Sequence, residues 1–199
     1  METNTILCKI CGSEKNIVLF KKDGFPILKC NDCKIVFTNV PASLDLNTIY
    51  DNSYFQGGQQ YGYGNYAASE KVLRKGFSKT VSLIRNFTHN RRGLQLLELG
   101  SAYGYFIDEA QAFFNCTGLE ISRAAAAVSK KSGHRIYTRE YDEKIAGEIG
   151  NIDIVAMFDV IEIQRSPKGD RRLGRLGLRR TWLWLDAVDQ RCRDRKSVV

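Results

Sequence analysis

The stretch Leu94-Gln95-Leu96-Leu97-Glu98-Leu99-Gly100-Ser101-Ala102-Tyr103-Gly104 reads as an apolar strand running straight into a loop of small residues. Near-continuous hydrophobicity, with Glu98 the one charge, is the pattern of a parallel strand covered on both faces. Beyond the loop, Phe106, Ile107, Ala110 and Phe113 recur at helical spacing. Cys116–Leu119 reads as a second strand ending in Glu120, and Ser122 stands where it can cap an Ala-rich helix reaching Lys131. Arg135–Thr138 reads as a short third strand, with His134 at its start on the surface. Ile152–Phe158 reads as a fourth, followed by Asp159-Val160-Ile161-Glu162. Strands alternating with helices predict an α/β domain built on a parallel sheet.

The chemistry of such a sheet sits at the carboxyl ends of its strands. A loop of small residues lets a ligand lie against the backbone there. An acid at the end of the next strand can take both hydroxyls of a ribose, and Glu120 lies 20 residues after Gly100, the spacing that this geometry requires. A Gly-x-Gly-x-x-Gly dinucleotide fingerprint would place glycines at 100, 102 and 105. Ala102 and Tyr105 stand at two of these, which weakens a nicotinamide-dependent oxidoreductase reading.

Working towards the amino terminus, Leu73, Phe77, Val81 and Ile84 form one apolar stripe on a predicted helix from Ala67 to about Phe87. Before it lies a connector rich in Tyr and Gly, from Tyr50 to Tyr66. Its composition suits either low-complexity disorder or a lid facing a substrate. The chain opens with Cys8-Lys9-Ile10-Cys11 and Cys30-Asn31-Asp32-Cys33. Two CxxC knuckles at this separation match a zinc-ribbon-like module, with four thiolates completing a tetrahedron around a structural ion. Iron in place of zinc and a redox role for either CxxC are alternatives. Ile17–Phe20 and Pro26–Leu28 read as strands around an Asp23-Gly24 hairpin turn, and Ile35–Phe37 as a third strand. Cys116, in an apolar strand, reads as a core thiol.

Taken together, these residues resemble one family. Glu98-Leu99-Gly100-Ser101-Ala102-Tyr103-Gly104 is similar to the first motif of class I S-adenosylmethionine-dependent methyltransferases, and Phe158-Asp159-Val160-Ile161-Glu162 resembles their motif after the fourth strand. The order of cysteine knuckles, Tyr-rich connector, helix and sheet looks like a subgroup acting on small metabolites or nucleotide-linked sugars. The resemblance covers roughly residues 6–163. It implies a Rossmann-like sheet and cofactor contacts from Gly100, Ala102, Tyr103 and Gly104. It further implies that Glu98 orients the loop or the cofactor's amino group, that Glu120 binds the ribose diol and that Ile121 packs near adenine. Glu140, or else Asp142, would face the adenine amine, Asp159 would lie by the methyl donor, and Glu162 would be the catalytic acid beside the acceptor. Two positions depart from the family pattern: Ala102 replaces the middle glycine, and Ile163 stands where a His is expected.

Composition sets the outer bounds. The chain has 199 residues and a net charge of +8. That charge is concentrated: residues 1–163 carry 19 basic and 18 acidic side chains, whereas residues 164–199 carry 11 basic and 4 acidic ones. The last segment also lacks Tyr, Phe, Ile and Asn, yet holds both Trp residues. One reading is a basic nucleic-acid arm, which would make the chain a non-catalytic zinc-ribbon module with a nucleic-acid-binding tail. The favoured expectation is a non-native tail produced by truncation or a frameshift, which would leave an incomplete methyltransferase chain with weak activity or none. The division expected is therefore a metal module (1–45), a connector and helix (46–93), the first half of a methyltransferase domain (94–163) and the basic tail (164–199). With no leader-like start and no apolar run long enough to span a bilayer, a cytoplasmic enzyme is expected, with no membrane or nucleic-acid partner.

Overall fold

The computed structural model describes residues 6–41, 43–58 and 62–160. Glu162 and Ile163, the tail and its Cys192 lie outside the described residues. Two compact units divide between Leu44 and Asp45.

The first unit is a three-stranded antiparallel sheet of β1 (Asn16–Lys22), β2 (Phe25–Cys30) and β3 (Val36–Thr38) in that order. Asp23 at φ 51° and Gly24 at φ 81° form the turn between β1 and β2. Positive φ at both central residues is the twist that a two-residue hairpin demands. The unit buries little: Ile17, Val18, Leu19 and Phe20 along β1 are all exposed, whereas Cys8, Leu28 and Cys30 are buried. Two of the four cysteines described below, Cys8 and Cys30, are thus among the few enclosed side chains of this unit, while Cys11 and Cys33 are exposed.

The second unit contains α1 (Asn52–Gln56), α2 (Glu70–Phe87), β4 (Gln95–Leu99), α3 (Tyr105–Ala110), β5 (Asn115–Leu119), α4 (Arg123–Lys131), β6 (Ile136–Tyr137), α5 (Glu143–Ile149) and β7 (Ile154–Met157). Its described strands form a parallel sheet in the order β6-β5-β4-β7. The sheet is Rossmann-like in order. The chain steps outward from β4 to β5 to β6, then returns to place β7 on the other side of β4. In open α/β sheets ligands bind at such a reversal, which here lies at the carboxyl ends of β4 and β7.

The stripe expected on α2 faces the core. Val81 and Ile84 are buried against Leu94, Leu96, Ile154 and Ala156 of the sheet side and against Phe106, Ala110 and Phe114. Phe77, Phe106 and Phe158 meet as a ring cluster with centroids 4.8–5.7 Å apart. Helix α3 stops at Ala110, earlier than the apolar spacing predicts, and Phe113 packs from the following turn with the Arg85 guanidinium 4.0 Å over its ring. Two short helices are additions. Asp51 caps α1 by accepting the N–H groups of Ser53 and Tyr54, and Asp142 caps α5 by accepting that of Ile145. With 5 and 7 residues, neither helix has enough turns to display a period.

Phe106 is 1% exposed at the centre of this core. Phe106→Ala should therefore lower stability by about 3–5 kcal/mol, seen as a fall in the urea midpoint with the slope of the transition unchanged.

Candidate functional site

Leu99 ends β4, and the chain must turn sharply to begin α3. Gly100 (φ 73°), Ala102 (φ 44°) and Gly104 (φ 84°) all take left-handed backbone conformations to do so. At two of these positions the space is already occupied. A Cβ on Gly100 would sit 2.5 Å from Val160 Cγ2, and one on Gly104 would sit 2.3 Å from Ser129 Oγ and 2.4 Å from His134 Nδ1. The Gly100 contact brings the end of β7 against the loop, so the segment carrying Asp159 and Val160 flanks it.

The loop is held from β5. Leu119 carbonyl accepts the N–H groups of Gly100 and Ser101 at 2.8 and 3.1 Å. Glu120, 5% exposed, accepts the Ala102 N–H through Oε2 at 2.7 Å and the Ser122 N–H through Oε1 at 2.7 Å. The two carboxylate oxygens offer about four lone pairs, so capacity remains to accept a further hydrogen bond. Burial raises the Glu120 carboxyl above its ordinary value, while the amides of Ser122, Ala102 and Ile121 pull it down. On the neighbouring strand Glu98 is 3% exposed, and its Oε2 has no hydrogen-bond partner among the described residues. Burial drives its carboxyl well above the ordinary value of 4.5, and the Glu120 charge adds to this. A buried, unpaired carboxylate oxygen costs free energy until a proton or a cation meets it.

The connector is not disordered over its described residues: it packs on the loop as an aromatic cover. Phe55 stacks on Tyr103 with centroids 5.4 Å apart, and Tyr66 stacks on Tyr105 at 5.4 Å with an interplanar angle of 2°. Tyr66 also meets Tyr103 and Tyr63 edge-on. Burial raises the Tyr66 phenol, and the acidic groups of Tyr63, Glu98 and Glu120 push it the same way, so it stays a neutral O–H. Of the two readings of its composition, disorder does not describe these residues.

The sequence-derived site residues fall into groups. Glu98, Gly100, Ala102, Tyr103, Gly104 and Glu120 come together at the ends of β4 and β5, and Ile121, half-buried, follows directly. Asp159, at φ 53°, is brought close by Val160. Glu140 is exposed on the segment between β6 and α5, and Asp142 is engaged as the α5 cap. His134 corrects an expectation: its side chain is 0% exposed, not on the surface, and it bonds Asp108 and Ser129. Sequence reasoning also missed Ser101, whose buried Oγ has no partner among the described residues. Single serines in a loop carry no signal of burial. Cys116 is half-buried, and burial, with Glu98 next, pushes its thiol up to about 12, as suits an inert core residue.

In the first unit, the four knuckle sulfurs lie within 4.8 Å of one another. Cys8 faces Cys33 and Cys11 faces Cys30, each pair with Sγ atoms 3.5 Å apart. A tetrahedron with metal–sulfur bonds of ~2.3 Å has edges of roughly 3.8 Å, so this cluster could hold a metal ion. The N–H of Cys33 points at Cys30 and, against burial, helps hold that thiol down at about 6.

No family model matches the chain, and no curated protein does. Among solved structures, similar folds include the magnesium protoporphyrin IX methyltransferase of Synechocystis PCC 6803 with bound SAH, at 18% identity and a TM-score of 0.42, covering 59% of this chain and 60% of that one. Another is a putative S-adenosyl-L-methionine-dependent methyltransferase from Methanococcus maripaludis, at 12% identity and a TM-score of 0.44, covering 53% and 52%. The sugar N-methyltransferase KedS8 from Streptoalloteichus is similar over 42% of this chain and 32% of its own, at 16% identity and a TM-score of 0.31. The chain thus spans less than two thirds of the length of each of these proteins.

Glu98 generates a pH prediction. A carboxyl whose folded value lies above its unfolded one contributes stability that is present below the unfolded value and lost as pH rises through the folded one. The melting temperature of Glu98→Gln should therefore rise relative to wild type as pH increases from about 5 to about 8, as followed by circular dichroism. A constant difference across that range would contradict the burial argument.

Proposed function

We propose that residues 94–160 hold S-adenosylmethionine and that the parent protein transfers its methyl group to a small-molecule acceptor, a small metabolite or nucleotide-linked sugar. The observation that carries this reading is the pair of buried carboxyls at adjacent strand ends. Glu120 is fixed by two backbone amides with accepting capacity to spare, and Glu98 keeps an unpartnered oxygen beside it. One suits a ribose diol and the other an ammonium group, and a ligand carrying both would satisfy the site.

When bound, this cofactor supplies an electrophilic methyl carbon on a sulfonium. The protein's own part is positioning and exclusion of water, which are the main requirements of an in-line displacement. Gly100 and Gly104 take the left-handed turn and make room for Val160 and for Ser129 and His134, which closes the loop tightly over the end of β4. Glu98 binds the positive end, and Glu120 orients the sugar. The cover of Phe55, Tyr63 and Tyr66 shields the loop from solvent. Asp159 flanks the loop, and Glu162, outside the described residues, is the proposed acid nearest the acceptor.

The experiment is calorimetric titration with S-adenosylhomocysteine. Wild type should bind, and Glu120→Ala should bind at least about tenfold more weakly, a loss of about 1.4 kcal/mol. Equal binding by the two, or a preference for NAD, would overturn the reading.

For the first unit we propose a structural zinc ion held by Cys8, Cys11, Cys30 and Cys33. Four thiolates leave no open coordination position, so no catalytic role follows. A unit this small draws much of its folding free energy from the ion. Metal analysis should find zinc in the purified chain, lost in Cys30→Ser, and chelation should abolish amide protection in β1 and β2. Iron, or no metal with protection intact, would contradict the assignment.

A further inference from the structure

Against the Gly104 end of the loop packs a polar chain that the proposed chemistry does not use. Arg74 of α2 pairs with Glu70 at 2.7 Å, with Glu109 at 3.3 Å and with Asp108. Asp108 in turn meets His134 Nε2 at 2.7 Å through Oδ1, and His134 Nδ1 meets Ser129 Oγ at 2.9 Å. A carboxylate only accepts, so Nε2 carries its proton towards Asp108; the Ser129 hydroxyl, able to give or take, matches Nδ1. Ser129 and the His134 side chain are fully buried. Neither can reach an acceptor, so the arrangement is not a nucleophile with its base despite the order of its groups.

Its position indicates another role. The space that a side chain on Gly104 would need is filled by Ser129 Oγ and His134 Nδ1. The backbone of Gly104 therefore rests directly on the serine–histidine pair. Asp108 closes the circuit, since its N–H donates to the Gly104 carbonyl at 2.9 Å while its side chain holds His134. Arg74 extends the circuit to the cover, with its guanidinium 5.0 Å from the centre of the Tyr105 ring that stacks on Tyr66. A buried polar network with directional bonds fixes geometry more narrowly than an apolar contact of equal volume.

We propose that His134, held by Asp108 and Ser129 and backed by Arg74, is a positioning residue that fixes the Gly104 end of the ligand loop and ties it to the aromatic cover. This rests on the cofactor reading above only for the identity of the ligand. His134→Phe keeps an aromatic ring and removes both hydrogen bonds, and Ser129→Ala removes only the hydroxyl, guarding against a variant that fails to fold. Two readouts apply to each: affinity for S-adenosylhomocysteine, and amide hydrogen exchange across residues 100–105. Affinity should fall about tenfold and exchange across the loop should quicken, with exchange in β1 and β2 unchanged. Wild-type affinity and wild-type exchange in both variants would overturn the proposal. If wild type itself binds no S-adenosylhomocysteine, the cofactor reading fails. The exchange readout then decides the positioning role alone: quickened loop exchange upholds it, and unchanged exchange overturns it.

Discussion

The second unit turns on one carboxylate. Glu120 accepts from the Ala102 amide of the loop and from the Ser122 amide on its own side. Ala102 takes a φ of 44°, a left-handed conformation that costs a non-glycine residue roughly 1–2 kcal/mol. A charge-assisted bond from its amide to a buried carboxylate is strong enough to offset that cost. The same bond aligns the loop with the end of β5, at whose side the buried Glu98 lies close enough to feel the Glu120 charge. Asparagine or glutamine at 120 would lose the symmetry, because only a carboxylate presents two equivalent accepting oxygens to two amides.

Around that bond the unit is arranged in layers of different chemistry. Apolar packing of α2 and α3 on the sheet sets the strand ends in place, the Arg74–Asp108–His134–Ser129 chain supports the loop at Gly104, and aromatic rings cover it. The first unit has none of this depth. Four consecutive apolar residues of β1 are exposed, and four cysteine sulfurs converge within 4.8 Å of one another. Cross-linking by an ion is the physical alternative to a core in a module of this size.

Much of this was legible in the residues themselves. The CxxC pairs are local signals whose chemistry dictates convergence, and the sulfurs do converge. The strand at 94–99 announced itself because burial on both faces erases alternation, and Glu120 was found because a fixed strand–helix–strand length sets its distance from Gly100. His134 was misplaced for the opposite reason. Its burial depends on Asp108 and Ser129, which are 26 and 5 residues away, and no local pattern encodes that meeting. The aromatic connector was ambiguous because tyrosines and glycines suit disorder and stacking equally. What resolved it was a set of partners, Tyr103 and Tyr105, that lie far along the chain. Helices α1 and α5 escaped notice because their caps, Asp51 and Asp142, are ordinary acids until the fold places amides over them.

The most direct test of the central claim is a proton–nitrogen correlation spectrum of the labelled chain, titrated with S-adenosylhomocysteine. The amides of Ala102 and Ser122 donate to Glu120 and should report any ligand that competes for, or shares, its oxygens. The account predicts that these two resonances shift together and saturably, along with Gly100 and Gly104, while those of β1 and β2 stay in place. A spectrum in which Ala102 and Ser122 do not move while other residues respond would place the ligand elsewhere and contradict the account.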